Sequence, residues 1–327
     1  MTRFLLTLFV SCALLTLHTS FRREGSHQAT ANSRLSRMCR NARGVKVNEF
    51  TYPAKATGVN VVSQFPVHVV MHAAVDVESQ NDKVVNRFRE VIVDLLTASE
   101  QAGVYNIASS FTLNVVGSGF EQVRLLVHDE LGDRFSKVEI VNLDRNVSNF
   151  EFSSVNFLLR SAKDLESRSI EAHFLYIHTK GLHHHGDYTS KWHWRKYMEF
   201  WTLRRHQDAR GLLALGYDAL GSNAIDFSAG AEIDSRIRVN PSHGWHYSGN
   251  FWWATTSHLS RLPQLPENTT VDHWTRCLAE FLILSPLPHM CAGELHHSES
   301  AHMYGLGLVP SFWELENTRT GATLIKF

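Results

Sequence analysis

Phe174-Leu175-Tyr176-Ile177 is an unbroken run of bulky side chains closed at both ends by polar residues, and it constrains the fold more than any other segment. Alternate residues of a strand point to opposite faces, so a strand that is apolar at every position needs cover on both sides. A central, mostly parallel sheet with helices on either face meets that need. The run ends in His178-Thr179-Lys180-Gly181, which sets an imidazole, a hydroxyl, an ammonium and a turn-forming glycine in succession. Ligands of open α/β sheets collect beyond the carboxyl ends of the strands. The local reading is an anion-binding loop, in which the lysine is a compact charge for a phosphate or carboxylate.

The flanking sequence supplies the rest of such a sheet. Phe65 to Met71 reads as a first strand. Val84, Val85, Phe88, Val91, Ile92, Leu95 and Leu96 recur at helical spacing, and Gly103 is placed to end that helix. Phe111 to Val116 and Val138 to Leu143 read as strands, and Ser153 to Leu165 as a helix that leads into the buried run. This alternation is the rhythm of an α/β protein, a three-layer α/β/α sandwich around a mixed, mostly parallel sheet. Farther on, Trp194, Tyr197, Met198 and Trp201 mark one helical face. Tyr217 to Leu220 and Phe251 to Ala254 read as strands, and Val271 to Leu284 as a helix.

The chain divides into three parts. Arg3 precedes an apolar stretch from Phe4 to Leu17, and Arg22-Arg23 follows a short polar spacer. Residues 1–21 thus read as a signal peptide or a signal anchor, shorter than the ~20 apolar residues of an ordinary spanning helix. Either directs the chain into the secretory pathway, to the Golgi or ER lumen as a type II membrane protein held by this segment if it is uncleaved, or to secretion. Residues 22–60 are polar and aperiodic, the composition of a flexible stem. Residues 61–327 then form a single domain. Asn146-Val147-Ser148 and Asn268-Thr269-Thr270 are glycosylation sequons, and Cys277 with Cys291 is a plausible disulfide beside an alternative of unpaired thiols. Lys and Arg balance Asp and Glu at 32 each, so no basic field points to nucleic acid as a partner.

Three groups of residues are candidates for chemistry. Lys180 and Arg195 could converge on a pyrophosphate, one as a point charge and the other as a planar fork; the plainer alternative pairs Arg195 with a carboxylate. His183-His184-His185 reads as a polar loop rather than a metal site, because adjacent loop residues rarely aim at one ion. In His246-Tyr247-Ser248-Gly249-Asn250-Phe251-Trp252-Trp253, a tight polar turn is flanked by aromatics, a pairing suited to the apolar faces and hydroxyl edges of a sugar. On that reading Ser248, Gly249, Asn250 and Trp252 meet a glycan acceptor, with Phe251 and Trp253 turned to the core. Glu280, on a helix after Asp272-His273-Trp274, and Asp218, before Gly221, are rival general bases.

Together, Tyr176-Ile177-His178-Thr179-Lys180-Gly181, Trp194-Arg195-Lys196-Tyr197-Met198, Tyr217-Asp218-Ala219-Leu220-Gly221 and His246 through Ala254, with Leu262-Pro263 and Ala279-Glu280, resemble a family of glycosyltransferases of the nucleotide-diphospho-sugar (GT-A-like) type. A more distant similarity is to rhamnan-synthesis-type transferases, which share a His-Thr-Lys loop followed by a Trp-Arg pair. The resemblance spans roughly residues 66–285. It implies a GT-A-like sandwich that passes a sugar from a nucleotide-sugar donor to a hydroxyl of a glycan acceptor. It also implies donor binding by His178, Thr179, Lys180, Gly181 and Arg195, with Glu280 as base. Most such enzymes hold Mn or Mg on the donor diphosphate with an Asp-x-Asp motif. No strict one occurs here: Asp76-Val77-Glu78 is the nearest, and His178-Thr179-Lys180 stands at the expected place, so a divalent cation stays an open expectation. The alternative from another class is a catalytically inactive, glycan-binding relative.

Overall fold

The computed structural model of the protein describes residues 64–78, 82–145, 151–179, 188–226, 245–266, 278–284 and 292–296. The amino-terminal apolar segment, the stem, the four cysteines, the asparagines of both sequons and the loop from Lys180 through His185 lie outside the described residues.

Strand β1 (Val67–Ala74) opens the domain and leads to helix α1 (Asp82–Gln101). Phe88, Val91, Ile92, Leu95 and Leu96 of α1 are buried together, as their spacing requires. Gly103 ends the helix with φ of +82° and is followed by a single turn, α2 (Val104–Ile107). Strand β2 (Ala108–Val116) follows, then α3 (Phe120–Arg124), which widens into a π-helical turn at Leu125–Glu130, then β3 (Val138–Asp144). Helix α4 (Phe152–Ser167) and strand β4 (His173–His178) complete the first half.

The second half holds α5 (Tyr188–Glu199), α6 (His206–Ala214), β5 (Ala219–Ser222), β6 (Ala224–Asp226), β7 (Trp245–Tyr247), β8 (Trp252–Thr255), α7 (Thr256–Leu259), α8 (Leu278–Leu282) and β9 (Ala292–His296). The strand expected over Tyr217 to Leu220 is thus shifted, with Tyr217 and Asp218 preceding it. Of the helix expected from Val271, Leu278–Leu282 is described, and residues 271–277 lie outside the described residues. Sequence periodicity missed α6, the short helices α2, α3 and α7, the small β6–β7 pair and β9.

Seven strands form one sheet in the order β3-β2-β1-β4-β8-β5-β9. All pair in parallel except β8, which is antiparallel to both β4 and β5. One face of the sheet carries Val69, Met71, Leu113, Leu175, Ile177 and Trp253 against α1, α5 and α6. The other carries Val70, Phe174, Tyr176, Trp252 and Ala254 against α4, α7 and α8. The fold is therefore the α/β sandwich with a mixed, mostly parallel sheet that the buried run demanded. Leu158 and Leu159 of α4, both out of water, each contribute on the order of 2 kcal/mol by transfer from solvent. Among the described residues no helix is long and apolar enough to cross a membrane.

From β1 the chain steps outward to β2 and β3, then returns to lay β4 on the other side of β1. That reversal opens a crevice at the carboxyl ends of β1 and β4, the place where ligands enter open α/β sheets. His72 and His178 are register partners across it.

Candidate functional site

His178 is the last residue of β4, and Thr179 leaves the sheet with its N–H donated to the carbonyl of His72, 2.9 Å away. Because β8 runs antiparallel with Trp252 opposite Tyr176, the residues just before Trp252 lie at the same edge. Those residues are Ser248-Gly249-Asn250. The Asn250 N–H reaches the carbonyl of Tyr247 at 3.0 Å, closing a four-residue turn, and Gly249 takes φ of +92° inside it. His178 Nε2 stands 2.7 Å from the carbonyl of Gly249, so the two sequence motifs meet directly.

Gly249 is required on two counts. Its backbone is left-handed, and a Cβ there would overlap Met198 Sδ of α5 and stand 3.1 Å from Trp194 Nε1. Gly249→Ala is expected to destabilise the fold by about 2 kcal/mol or more. Urea unfolding checks this; an unchanged midpoint would show the turn tolerates a side chain.

At the centre of the edge is a carboxylate that the sequence reading did not single out. Glu151, immediately before α4, accepts from the Tyr176 hydroxyl at 3.0 Å and from the Asn250 amide, and its other oxygen is 3.3 Å from His178 Nδ1. Asn250 in turn accepts from Trp252 Nε1 at 2.7 Å. Tyr176 stacks on Trp252 with ring centroids 5.1 Å apart, and Phe251 meets His178 edge-on at 5.5 Å. Burial, then the Glu151 carboxylate, raises the Tyr176 phenol well above its ordinary pKa, so it keeps its proton and donates. Glu280 adds to the same shift, which puts it in the neighbourhood, with Oε2 4.0 Å from His246 Nε2.

The expected site residues therefore separate. His178, Thr179, Ser248, Gly249, Asn250 and Trp252 come together at one sheet edge, with Glu280 nearby; Lys180 and Gly181 lie outside the described residues. The Thr179 hydroxyl is buried and has no hydrogen-bond partner among the described residues. Three expectations are corrected. Arg195 is 1% exposed and points to α1, where it donates to Asp94 at 2.9 Å and, on its own helix, to Glu199 at 3.2 Å. It belongs to the interhelical core rather than to a donor diphosphate. Asp218 precedes β5 and lies beside Thr255, the partner of His173 at the start of β4. That is the opposite edge, roughly 16 Å from His178 by strand rise, and its neighbour there is Arg261 at 3.6 Å. Asn250 and Trp252 are 0% and 2% exposed, so their side chains build the site from within instead of facing an acceptor.

Glu280, at 28% side-chain exposure, keeps the access to solvent that a base needs. Asp76, the first residue of the approximate Asp-x-Asp, accepts from the Ser118 hydroxyl at 2.7 Å, and that hydroxyl accepts from the N–H groups of Val77 and Glu78. Among the described residues no group of three or more His, Cys, Asp or Glu is arranged to hold a metal ion.

With known protein families and with curated proteins, the chain has no significant match.

Proposed function

We propose that the protein is a GT-A-like glycosyltransferase that moves a sugar from a nucleotide-sugar donor to a hydroxyl of a glycan or glycoconjugate in the secretory pathway. The observation that carries the reading is the hydrogen bond from His178 to Gly249, which joins the His-Thr-Lys motif and the Ser-Gly-Asn turn at the carboxyl edge beside β1. Both motifs belong to the ordered series that carries the family resemblance. The crevice between β1 and β4 is where such a sheet takes a nucleotide.

The chemistry assigns few roles. Transfer breaks the bond between the anomeric carbon and the diphosphate, whose oxygen leaves with the electron pair. Lys180, one residue beyond Thr179 in sequence, is the cation assigned to that developing charge, and the Thr179 hydroxyl, without a hydrogen-bond partner among the described residues, is assigned as a neutral donor to it. An acceptor oxygen forms the new bond to the anomeric carbon, and Glu280 takes its proton. Arg195 has no part in this scheme, because its charge is already matched by two carboxylates.

A thermal-shift screen of the purified protein against nucleotide sugars, with and without Mn²⁺, tests the proposal. A ligand at a hundredfold its Kd raises stability by about 2.7 kcal/mol. Lys180→Ala is expected to abolish the shift while leaving the unliganded melting temperature unchanged. Indifference to every nucleotide sugar overturns the reading. Glycan binding without nucleotide-diphosphate binding would assign the fold to the glycan-binding alternative.

A further inference from the structure

The contacts around Glu151 favour particular protonation states. His178 Nε2 lies 2.7 Å from a backbone carbonyl, which only accepts, so Nε2 carries a hydrogen. His178 Nδ1 lies 3.3 Å from Glu151 Oε1. A neutral ring beside an ionised carboxylate would set one lone pair against another. One further proton, on Nδ1 or on the carboxyl group, relieves that contact. Glu151 Oε2 already accepts from a phenol and an amide, and Glu151 stands at the amino-terminal end of the sixteen-residue helix α4. Two donors and the positive end of a helix all favour the ionised carboxylate. The proton then resides on the ring, as an imidazolium buried against its counter-ion.

We infer that Glu151 is the positioning residue of this site, tying the end of β4 to the turn before β8 through an ion pair with a doubly protonated His178. One carboxylate thereby fixes three groups from separate parts of the chain: Tyr176 and His178 on β4, and Asn250, whose φ of +58° is uncommon outside glycine. Removing it would leave the direct bond from His178 to Gly249 but take away the shared anchor of the Tyr176, His178 and Asn250 side chains. Among the described residues, Glu280 and His246 are titratable groups near the Tyr176 end of the cluster, and His72 is the register neighbour of His178 on β1. What the site does when so positioned rests on the transferase reading; the link itself does not.

The conservative substitution distinguishes this role from simple packing. In Glu151→Gln the amide oxygen accepts from Tyr176 and Asn250 while the amide nitrogen donates to Nδ1 of a neutral His178. The network is retained with one proton fewer on the ring. In Glu151→Ala that shared anchor is lost, and the side chains of His178 and Asn250 lose their common partner. The test is ¹⁵N NMR of the histidine rings of the full chain at neutral pH, with His178 assigned by its loss in His178→Gln. Protons on both nitrogens are expected in the wild type, and on Nε2 alone in Glu151→Gln. Transfer activity is expected to fall about 100-fold in Glu151→Ala, the scale of a small misplacement of reacting groups, and to stay within about threefold in Glu151→Gln. A singly protonated His178 in the wild type overturns the inference, as does Glu151→Ala retaining full turnover. Should Glu151→Ala not fold, the ring protonation of the other two proteins still decides. A doubly protonated His178 in a protein that transfers no sugar would sink the transferase reading and leave this link standing.

Discussion

Asp94→Ala is expected to lower the unfolding free energy by about 3 kcal/mol, the scale of stranding a buried charge. Arg195 is enclosed by α1 and α5, and its guanidinium is answered by Asp94 across the helix interface and by Glu199 one turn along. Lys196 bridges the same two carboxylates, reaching Glu199 at 2.7 Å, so two cations and two anions close a compact network. Deleting Asp94 leaves two cations facing one carboxylate. That carboxylate is itself strained: burial first, then Asp94, raises the pKa of Glu199, while Lys196 and Arg195 oppose the shift. Removing Asp94 relieves one small repulsion and loses both long-range pairings. Because Asp94 is partly exposed, solvent softens the loss, which keeps the expected cost at the lower end for a buried pair.

The consequence reaches the site as well, since α5 also presses Trp194 and Met198 against Gly249. Urea unfolding of Asp94→Ala, Arg195→Met and the double variant checks the account. The double variant should be more stable than Asp94→Ala alone, because it removes the stranded charge. A loss under about 0.5 kcal/mol in Asp94→Ala, the range of an ordinary surface substitution, would return Arg195 to the list of groups free to meet a ligand.

The same arginine shows where sequence reasoning stops. Position along α5 was legible, because Trp194, Tyr197 and Met198 repeat at helical spacing and are indeed buried. Direction of the charge was not, because its partner stands 101 residues earlier and only the packed helices bring them together. The layered fold was legible for the complementary reason: period and burial are local. Phe251, Trp252 and Trp253 alternate between the two core clusters as a strand demands. Alternation gave their faces but not their exposure, since a helical layer covers the second face too.

Asp218 failed differently. Its sequence context suggests a strand position, but pairing starts at Ala219, and a residue ahead of a parallel strand lies at the amino-terminal edge, away from the ligand crevice. Glu151 gave no signal at all. It stands three residues past Ser148 of the first sequon and outside any motif, and its importance comes wholly from what converges on it.

Acidification below about pH 6.5 is expected to remove the stability that His173 contributes, an effect that one substitution isolates. His173 begins β4 at 1% exposure, with the Phe65 ring 5.3 Å away. Burial, and to a lesser extent the charge of Arg210, lowers its pKa to about 4. In the unfolded chain the ring titrates near its ordinary value of about 6.5. Between those two values the unfolded state binds the extra proton and the native state does not, so stability falls as pH drops through this window and levels off below it. The span corresponds to a contribution on the order of 3 kcal/mol, fully present at neutral pH. Burial lowers His68, His206 and His258 as well, and each acts in the same direction. Glu171 and Glu199 oppose them, because burial raises both carboxyls and their protonation on acidification favours the native state. The total slope is therefore a balance, whereas the difference between wild type and His173→Gln isolates one group. Urea unfolding at intervals from pH 7.5 to 4 should show the two stability curves converging by about 3 kcal/mol toward the acid end. Curves that remain parallel would mean that His173 is protonated equally in both states, and that the amino-terminal edge of β4 is wetter than its packing against Phe65 implies.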